Sequence, residues 1–233
     1  MLQISIVFPI HNEEENIKSL LSNWSKELVL KNIDYEFILV EDGSTDKTKE
    51  IIKELETKYP IINLSQKEKR YYTKAVVDGI YAANKKYILC TDSDNQIKVE
   101  SFIKYINDLP GENEFLFGYR NPRNDPLNRI IYSKFFKLFH DLLFYSKLKD
   151  PSCPFVIGLN STFKKLSKKK LMHMREGFWW GFVGVSKISG IKVIQKPIKH
   201  FSRETGDTSY KINKMLKIIT VNTAGLIKIK FNL

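Results

Sequence analysis

Strand-length runs of β-branched and aromatic residues alternate with helix-spaced apolar residues through the first half of this sequence. That alternation constrains the fold more than any other feature. Ile4 to Pro9, Tyr35 to Val40, Ile61 to Leu64, Tyr87 to Thr91 and Glu114 to Tyr119 each have the length and side-chain type of a strand. Between the first two, Ile17, Leu20, Leu21, Trp24 and Leu28 recur at helical spacing with one apolar face. Ile51, Ile52 and Leu55 form the next such face, with Ser44 or Thr45 as its predicted N-cap. Ala75, Val76, Gly79, Ile80 and Ala83 form the one after. Strands that alternate with helices predict an α/β fold with a parallel sheet and crossover helices. In such sheets ligands bind beyond the carboxyl ends of the strands, so the loops there are the candidate site.

The second half is less regular. The pattern predicts a helix over 128–144, a loop over 149–154, a helix near 177–189 and a strand over 192–197. With no repeat, linker or low-complexity tract, 233 residues suit a single domain.

A formal net charge of +12 predicts an anionic partner: nucleic acid, a phosphorylated substrate or an acidic lipid surface. Nothing resembles a helix-turn-helix, a zinc finger or an aromatic RNA-binding strand, so nucleic acid is not the expected partner. The N-terminus lacks the basic start and long apolar stretch of a signal peptide, and no apolar segment approaches the roughly 20 residues of a spanning helix. The expectation is a cytoplasmic protein, peripheral on the cytoplasmic face of the membrane if its anionic partner is a lipid surface. Cys90 and Cys153 form no disulfide framework, and Cys90 reads as a buried reduced thiol.

Three strand-end loops are acidic or polar beyond what packing requires. The first reads Pro9-Ile10-His11-Asn12-Glu13-Glu14-Glu15 and the second Glu41-Asp42-Gly43-Ser44-Thr45-Asp46. The loop after the fourth strand reads Thr91-Asp92-Ser93-Asp94-Asn95-Gln96. Helix capping accounts for any one of them; three at successive carboxyl ends point to a shared ligand. Asp92 and Asp94 stand on one short loop and repel each other unless a cation lies between them. Hard divalent ions such as Mg²⁺ or Mn²⁺ take such oxygen ligands and keep substrate phosphates in their shell. A metal so held can bridge a diphosphate and stabilise charge on a leaving group. Neither G-x-G-x-x-G nor G-x-x-x-x-G-K-[ST] occurs, which weighs against dinucleotide dehydrogenases and P-loop NTPases.

These three segments, in this order and spacing, resemble the signatures of family 2 glycosyltransferases, above all dolichol- and polyprenyl-phosphate sugar synthases. The similarity runs to about Lys211. It implies a GT-A fold, with a mixed, mostly parallel central sheet and helices on both faces, and inverting, metal-dependent transfer of a sugar from a nucleotide-diphosphate donor. The implied acceptor is a polyprenyl phosphate; the alternative is a glycan or other hydroxyl. Residues 1–119 would form the nucleotide-sugar half and 120–209 the acceptor half. The resemblance places Pro9, His11, Glu13 and Asp42 around the base and ribose, with His11 where Tyr is more usual. It places Asp92 facing the nucleotide and Asp94 on the metal, with Asp92 and Gln96 completing the protein's ligands.

On the acceptor side, Gly118-Tyr119-Arg120 and Arg129-x-x-x-Ser133 resemble the family's G-S-R and R-x-x-x-S segments, which bind the acceptor's phosphate. Arg203-x-x-Gly206 resembles the R-x-x-G of a mobile loop over the diphosphate. An arginine fork suits phosphate oxygens; a surface salt bridge is the commoner role of any one arginine alone, but the three as a set aligned with a donor site favour phosphate binding. Three departures fall on this side. Val156 stands where D-x-x-C-P-F-R has arginine, Gly181 stands where W-W-E has its acid, and the late loop is longer in its polar run. A hydroxyl acceptor would need a carboxylate base, for which Glu176 and Glu204 are the candidates. In the C-terminal segment, 210–233, Ile212, Met215, Leu216, Ile219, Leu226 and Ile227 lie near helical spacing among Lys211, Lys214, Lys217, Lys228 and Lys230. Such a segment either lies on an anionic bilayer or closes the core.

Overall fold

The computed structural model describes residues 1–125, 127–166, 168–175, 177–202 and 212–232, without the side chains of 128, 129 and 212–217. Strand β1 (Gln3–Ile10) is buried from Ile4 onward on both faces, as a central parallel strand requires. It is followed by α1 (Ile17–Leu30), β2 (Asp34–Glu41), α2 (Thr48–Leu55), β3 (Ile61–Asn63), α3 (Tyr72–Ala82) and β4 (Tyr87–Thr91). The second half adds α4 (Glu100–Ile103), β5 (Glu114–Arg120), α5 (Leu127–Phe144), β6 (Phe155–Leu159), α6 (Asn160–Lys165) and α7 (Lys168–Leu171). Helix α8 (Phe178–Ile188), β7 (Lys192–Ile198) and α9 (Ile212–Phe231) complete it.

Among the described residues the strands form one seven-stranded sheet in the order β3-β2-β1-β4-β6-β5-β7. Strand β6 is antiparallel to both neighbours, and the other pairs are parallel. The mixed, mostly parallel sheet implied by the resemblance is therefore present, and the alternation alone accounts for its parallel part. Strand β6 was not predicted, although Phe155-Val156-Ile157 is a β-branched and aromatic run. Its reversal matters, because Phe155 pairs with Thr91. The start of β6 thus lies at the edge where β4 ends, and the preceding loop joins the strand-end loops.

Helices cover both faces. On one, Trp24 of α1 packs its ring edge-on against Phe8 at 5.5 Å, with Ile17, Leu20, Leu21 and Leu28 buried beside it. A truncation such as Trp24→Ala there costs about 3–5 kcal/mol. On the other, α3 lies close on the sheet because position 79 is glycine: a Cβ there would come within 2.4 Å of Val7 Cγ1. Helix α8 is buried from Phe178 through Ser186 and forms the hub of that second core. Leu226 and Ile229 of α9 pack into the same core with no exposure, so the described half of the C-terminal segment closes the domain. Cys90 is buried as expected, and Cys153 is buried as well; burial pushes both thiols up.

Helix α2 begins later than predicted. Ser44 and Thr45 do not cap it; Lys47 occupies the cap position without a side-chain bond, and Asp46 accepts the Thr48 N–H at 3.0 Å. The two hydroxyl residues are drawn instead to the neighbouring loop.

Candidate active site

The three strand-end loops are laced to one another. The Asn12 N–H donates to Ser44 Oγ at 3.0 Å, and Asn12 Oδ1 accepts the Thr45 N–H at 2.9 Å. The Glu13 N–H donates to Thr48 Oγ1 at 2.9 Å. His11 Nδ1 lies 3.1 Å from the Asp42 carbonyl oxygen, and Ser93 Oγ donates to the Pro9 carbonyl at 2.9 Å. Asn12 and Asn95 adopt positive φ, 56° and 59°, which lets both chains turn sharply at the sheet edge. Pro9, His11, Asp42 and the Asp92–Asp94 loop are therefore adjacent.

Within this edge the predicted residues differ in setting. Burial, reinforced by Lys69, lowers the His11 pKa, so its ring is neutral at pH 7 and keeps an apolar face. Glu13 is buried, and its carboxylate accepts the Asn16 side-chain amide at 2.6 Å. Asp42 is buried, and its two oxygens accept the Arg70 backbone N–H at 2.9 and 3.1 Å. The loop carrying Arg70 lies directly over Gly43: a Cβ at that residue, whose φ is +71°, would meet the Lys69 nitrogen at 2.4 Å. Arg70 was not singled out in the sequence, because its partner is 28 residues away. Glu41, fully buried, ties this loop together by accepting the Ser44 N–H and the Ser65 hydroxyl.

Asp92 accepts the Tyr72 hydroxyl at 2.5 Å, and Tyr72 accepts the Trp179 indole N–H at 2.9 Å. Burial and the Asp92 carboxylate hold the Tyr72 phenol well above its usual pKa, so it remains a donor. Asp94 accepts the Gln96 N–H at 3.2 Å, and the Gln96 side-chain amide donates to the Phe201 carbonyl at 3.1 Å. Among the described residues no three His, Cys, Asp or Glu side chains cluster as a metal cage. Two carboxylates and the Gln96 amide oxygen are nevertheless a hard oxygen donor set, suited to a divalent ion that completes its shell with phosphate and water. The residues present fit such an ion.

The acceptor-side residues are more enclosed. Arg120, at the end of β5, donates from Nε to Asp150 at 2.6 Å and from Nη2 to Asp150 at 2.9 Å and Ser152 at 2.7 Å. Its Nη1 donates to Asp125 at 3.2 Å, and its side chain is 4% exposed. Asp150 is drawn in by β6 reversal. Although burial opposes it, the arginine pair holds the Asp150 carboxyl down at about 2. Arg120 is thus turned to protein carboxylates. Arg123 bonds Asp125 at 2.6 Å and Ser133 at 3.0 Å. The side chain of Arg129, together with Glu176 and the segment carrying Arg203, Glu204 and Gly206, lies outside the described residues.

Comparison with known proteins bears on this arrangement. Residues 5–173 match the model of glycosyl transferase family 2. A dolichol-phosphate mannosyltransferase of Pyrococcus furiosus is 29% identical over 51% of this chain and 33% of its own. A dolichyl-phosphate β-glucosyltransferase of Trichomonas vaginalis is 24% identical over 93% of this chain and 71% of its own. A dodecaprenyl-phosphate galacturonate synthase of Rhizobium johnstonii is 27% identical over 94% of this chain and 64% of its own. The chain therefore spans between a third and seven tenths of these relatives' lengths. Among solved structures, glucosyl-3-phosphoglycerate synthase of Mycobacterium tuberculosis, in complex with Mn²⁺, UDP and glucosyl-3-phosphoglycerate, superimposes with a TM-score of 0.70. It is 15% identical over 99% of this chain and 80% of that one. Mannosyl-3-phosphoglycerate synthase of Rubrobacter xylanophilus gives 0.67 at 11% identity, over 97% and 73%.

Proposed function

Because the chain belongs to glycosyl transferase family 2, we propose that it moves a sugar from a nucleoside diphosphate onto the phosphate of a polyprenyl lipid. Its fold is the GT-A fold of these glycosyltransferases. The observation that carries the donor half of the reading is the joining of three loops at one sheet edge, with Asp42 on one side and Asp92 and Asp94 on the other. The lipid-phosphate half is supported by the names of the relatives, several of which act on dolichyl or other polyprenyl phosphates.

In this reading Pro9, His11, Glu13 and Asp42 surround the base and ribose, with the neutral His11 ring offering a stacking face. Asp92, Asp94 and Gln96 hold Mg²⁺ or Mn²⁺, which supplies positive charge to the diphosphate leaving group. Tyr72 and Trp179 fix the orientation of Asp92. A phosphate oxygen of the acceptor attacks the anomeric carbon from the face opposite the diphosphate, and the bond to the nucleotide's oxygen breaks with inversion. That oxygen is already anionic, so no general base is required. Arg129 and Arg203 are the residues assigned to phosphate, while Arg120 is locked to Asp150 and Ser152 in the loop before β6. Among the described residues no helix is long and apolar enough to cross a membrane.

The test is transfer of labelled sugar. Nucleotide sugars are first screened by thermal shift with and without Mn²⁺, where ligand at 100 times its Kd stabilises by roughly 2.7 kcal/mol. The stabilising donor is then offered with a polyprenyl phosphate, a glycan or water. Product on the lipid phosphate alone supports the proposal; product on the glycan alone defeats it.

A further inference from the structure

A cleft of about 290 Å³ opens between the first turn of α3, the segment that follows α7, and α9. Arg70 lines it from the loop before α3, Thr73 and Lys74 from α3 itself, and His173 and Arg175 from the segment after α7. Met172, Met174 and Val221 supply an apolar part of the wall. Three permanent positive charges thus surround one cleft, with no acid among the described residues that line it.

The fold leaves polar groups here unsatisfied. Arg70 donates from Nη1 to Asp78 at 3.0 Å and brings Nε to 3.6 Å from Asp42, but its buried Nη2 has no hydrogen-bond partner. Thr73 is 1% exposed, and its Oγ1 is buried without a partner as well. Buried polar atoms in native proteins are nearly all paired, so two orphans on one cleft point to an absent acceptor. Arg175 is held in place by stacking: its guanidinium lies 3.8 Å from the centre of the Tyr71 ring, and Tyr71 itself holds a positive φ of 76°. Stacking orients the planar group and leaves the donors along its edge for an anion. Burial, with Lys228 and Lys169 nearby, lowers the His173 pKa, so its ring is neutral at pH 7 and adds a hydrogen-bonding group without a fourth charge.

The cleft borders the donor edge without being part of it. Tyr72 gives its hydroxyl to Asp92, whereas Tyr71 and Thr73, on either side of it, line the cleft.

We propose that this cleft binds an organic phosphate monoester, with its phosphate on Arg70, Lys74 and Arg175 and its apolar body against Met172, Met174 and Val221. Guanidinium forks and an ammonium group select phosphate oxygens, and the Thr73 hydroxyl has its donor to give. The apolar wall selects an ester with an apolar body over inorganic phosphate. A polyprenyl phosphate belongs to this class, so the inference deepens the lipid-phosphate reading. It also survives the failure of that reading, because binding here requires no transfer.

The full chain, with neither donor nor metal, is titrated with geranyl phosphate, glycerol 3-phosphate and inorganic phosphate. Calorimetry gives affinity, and the ¹³C-labelled methionine methyls report place. Geranyl phosphate should bind at least about tenfold more tightly than the other two, and the Met172 and Met174 signals should shift with it. Lys74→Gln and Arg175→Gln, at half-buried and exposed positions, should each weaken that binding at least about tenfold with thermal unfolding unchanged. Unshifted Met172 and Met174 signals overturn the proposal, as do parent-like affinities in both variants. Equal affinity for the three phosphates overturns it too, and so does displacement of geranyl phosphate by UDP or GDP with Mn²⁺, which would make the cleft part of the donor site. Binding in the cleft without sugar transfer to any lipid phosphate defeats the proposed function alone. Transfer to geranyl phosphate without any shift of the two methyls defeats the cleft alone.

Discussion

Tyr72 donates its phenolic proton to Asp92 across 2.5 Å, from the first turn of α3 to the loop after β4. Trp179 holds the same oxygen from behind. Tyr72→Phe removes the donor and leaves a buried indole N–H unpaired, at a cost of about 1–3 kcal/mol in stability. The structural cost alone would leave the bound metal's apparent affinity intact. We expect instead that Mn²⁺ titration of donor binding shifts at least several-fold, because Asp92 has lost one of the bonds that orient it. Unchanged metal dependence in a destabilised variant would limit Tyr72 to packing.

Asp94→Ala is expected to abolish turnover and metal-dependent donor binding and to leave thermal unfolding close to that of the parent. The loop keeps its remaining ties, including the Ser93 bond to Pro9. Parent turnover undiminished in chelator would remove the metal from the proposal.

Arg120→Ala should act on the fold before it acts on the acceptor. The substitution strands Asp150, 8% exposed, without its bidentate partner. Breaking one side of a buried pair costs about 3–5 kcal/mol. Urea unfolding should show that loss, and Arg129→Ala should weaken acceptor use without it. Equal stability of the Arg120→Ala variant and the parent would show that the pair contributes nothing net.

Acid should destabilise the protein in two stages. Burial lowers His140 to about 4 from an ordinary 6.5, with Asp141 and Lys137 as its charged neighbours. The unfolded chain then takes the proton first, so stability present above 6.5 falls by on the order of 3 kcal/mol as pH drops to 4. Asp150 keeps its charge down to about 2 against an ordinary 3.8, so a further loss, on the order of 2 kcal/mol, follows below 3.8. Urea midpoints from about pH 7 to 4 should flatten in His140→Gln, and a slope unchanged by that substitution would assign the first stage elsewhere.

Gly43→Ala is expected to weaken nucleotide binding at least about tenfold, through strain at a backbone position that L side chains rarely adopt. Its Cβ would lie 2.4 Å from the Lys69 nitrogen and 2.5 Å from the Glu68 carbonyl carbon, so the backbone over Asp42 must move. Calorimetry with the nucleoside diphosphate alone measures this, and unaltered affinity would place the base elsewhere.

The sequence by itself determined what local pattern can specify. Hydrophobic period marked β1, β2, β4 and β5 and the apolar faces of α1 and α3, and the order of three polar loops marked one end of the sheet. Spacing along the chain says nothing, however, about which distant residues meet, and the rest was decided there. The reversed strand β6 was hidden because a strand's direction depends on its partners; only that reversal carries Asp150 to Arg120. No sequence pattern marks Tyr72; folding sets it between Asp92 and Trp179, 20 and 107 positions away. Ser44 and Thr45 follow capping rules in sequence, but the adjacent loop offered partners of its own. For α5 the sequence predicted a helix, and for α9 an apolar face at helical spacing. Only packing could say which face was used up by the core and which was left in water.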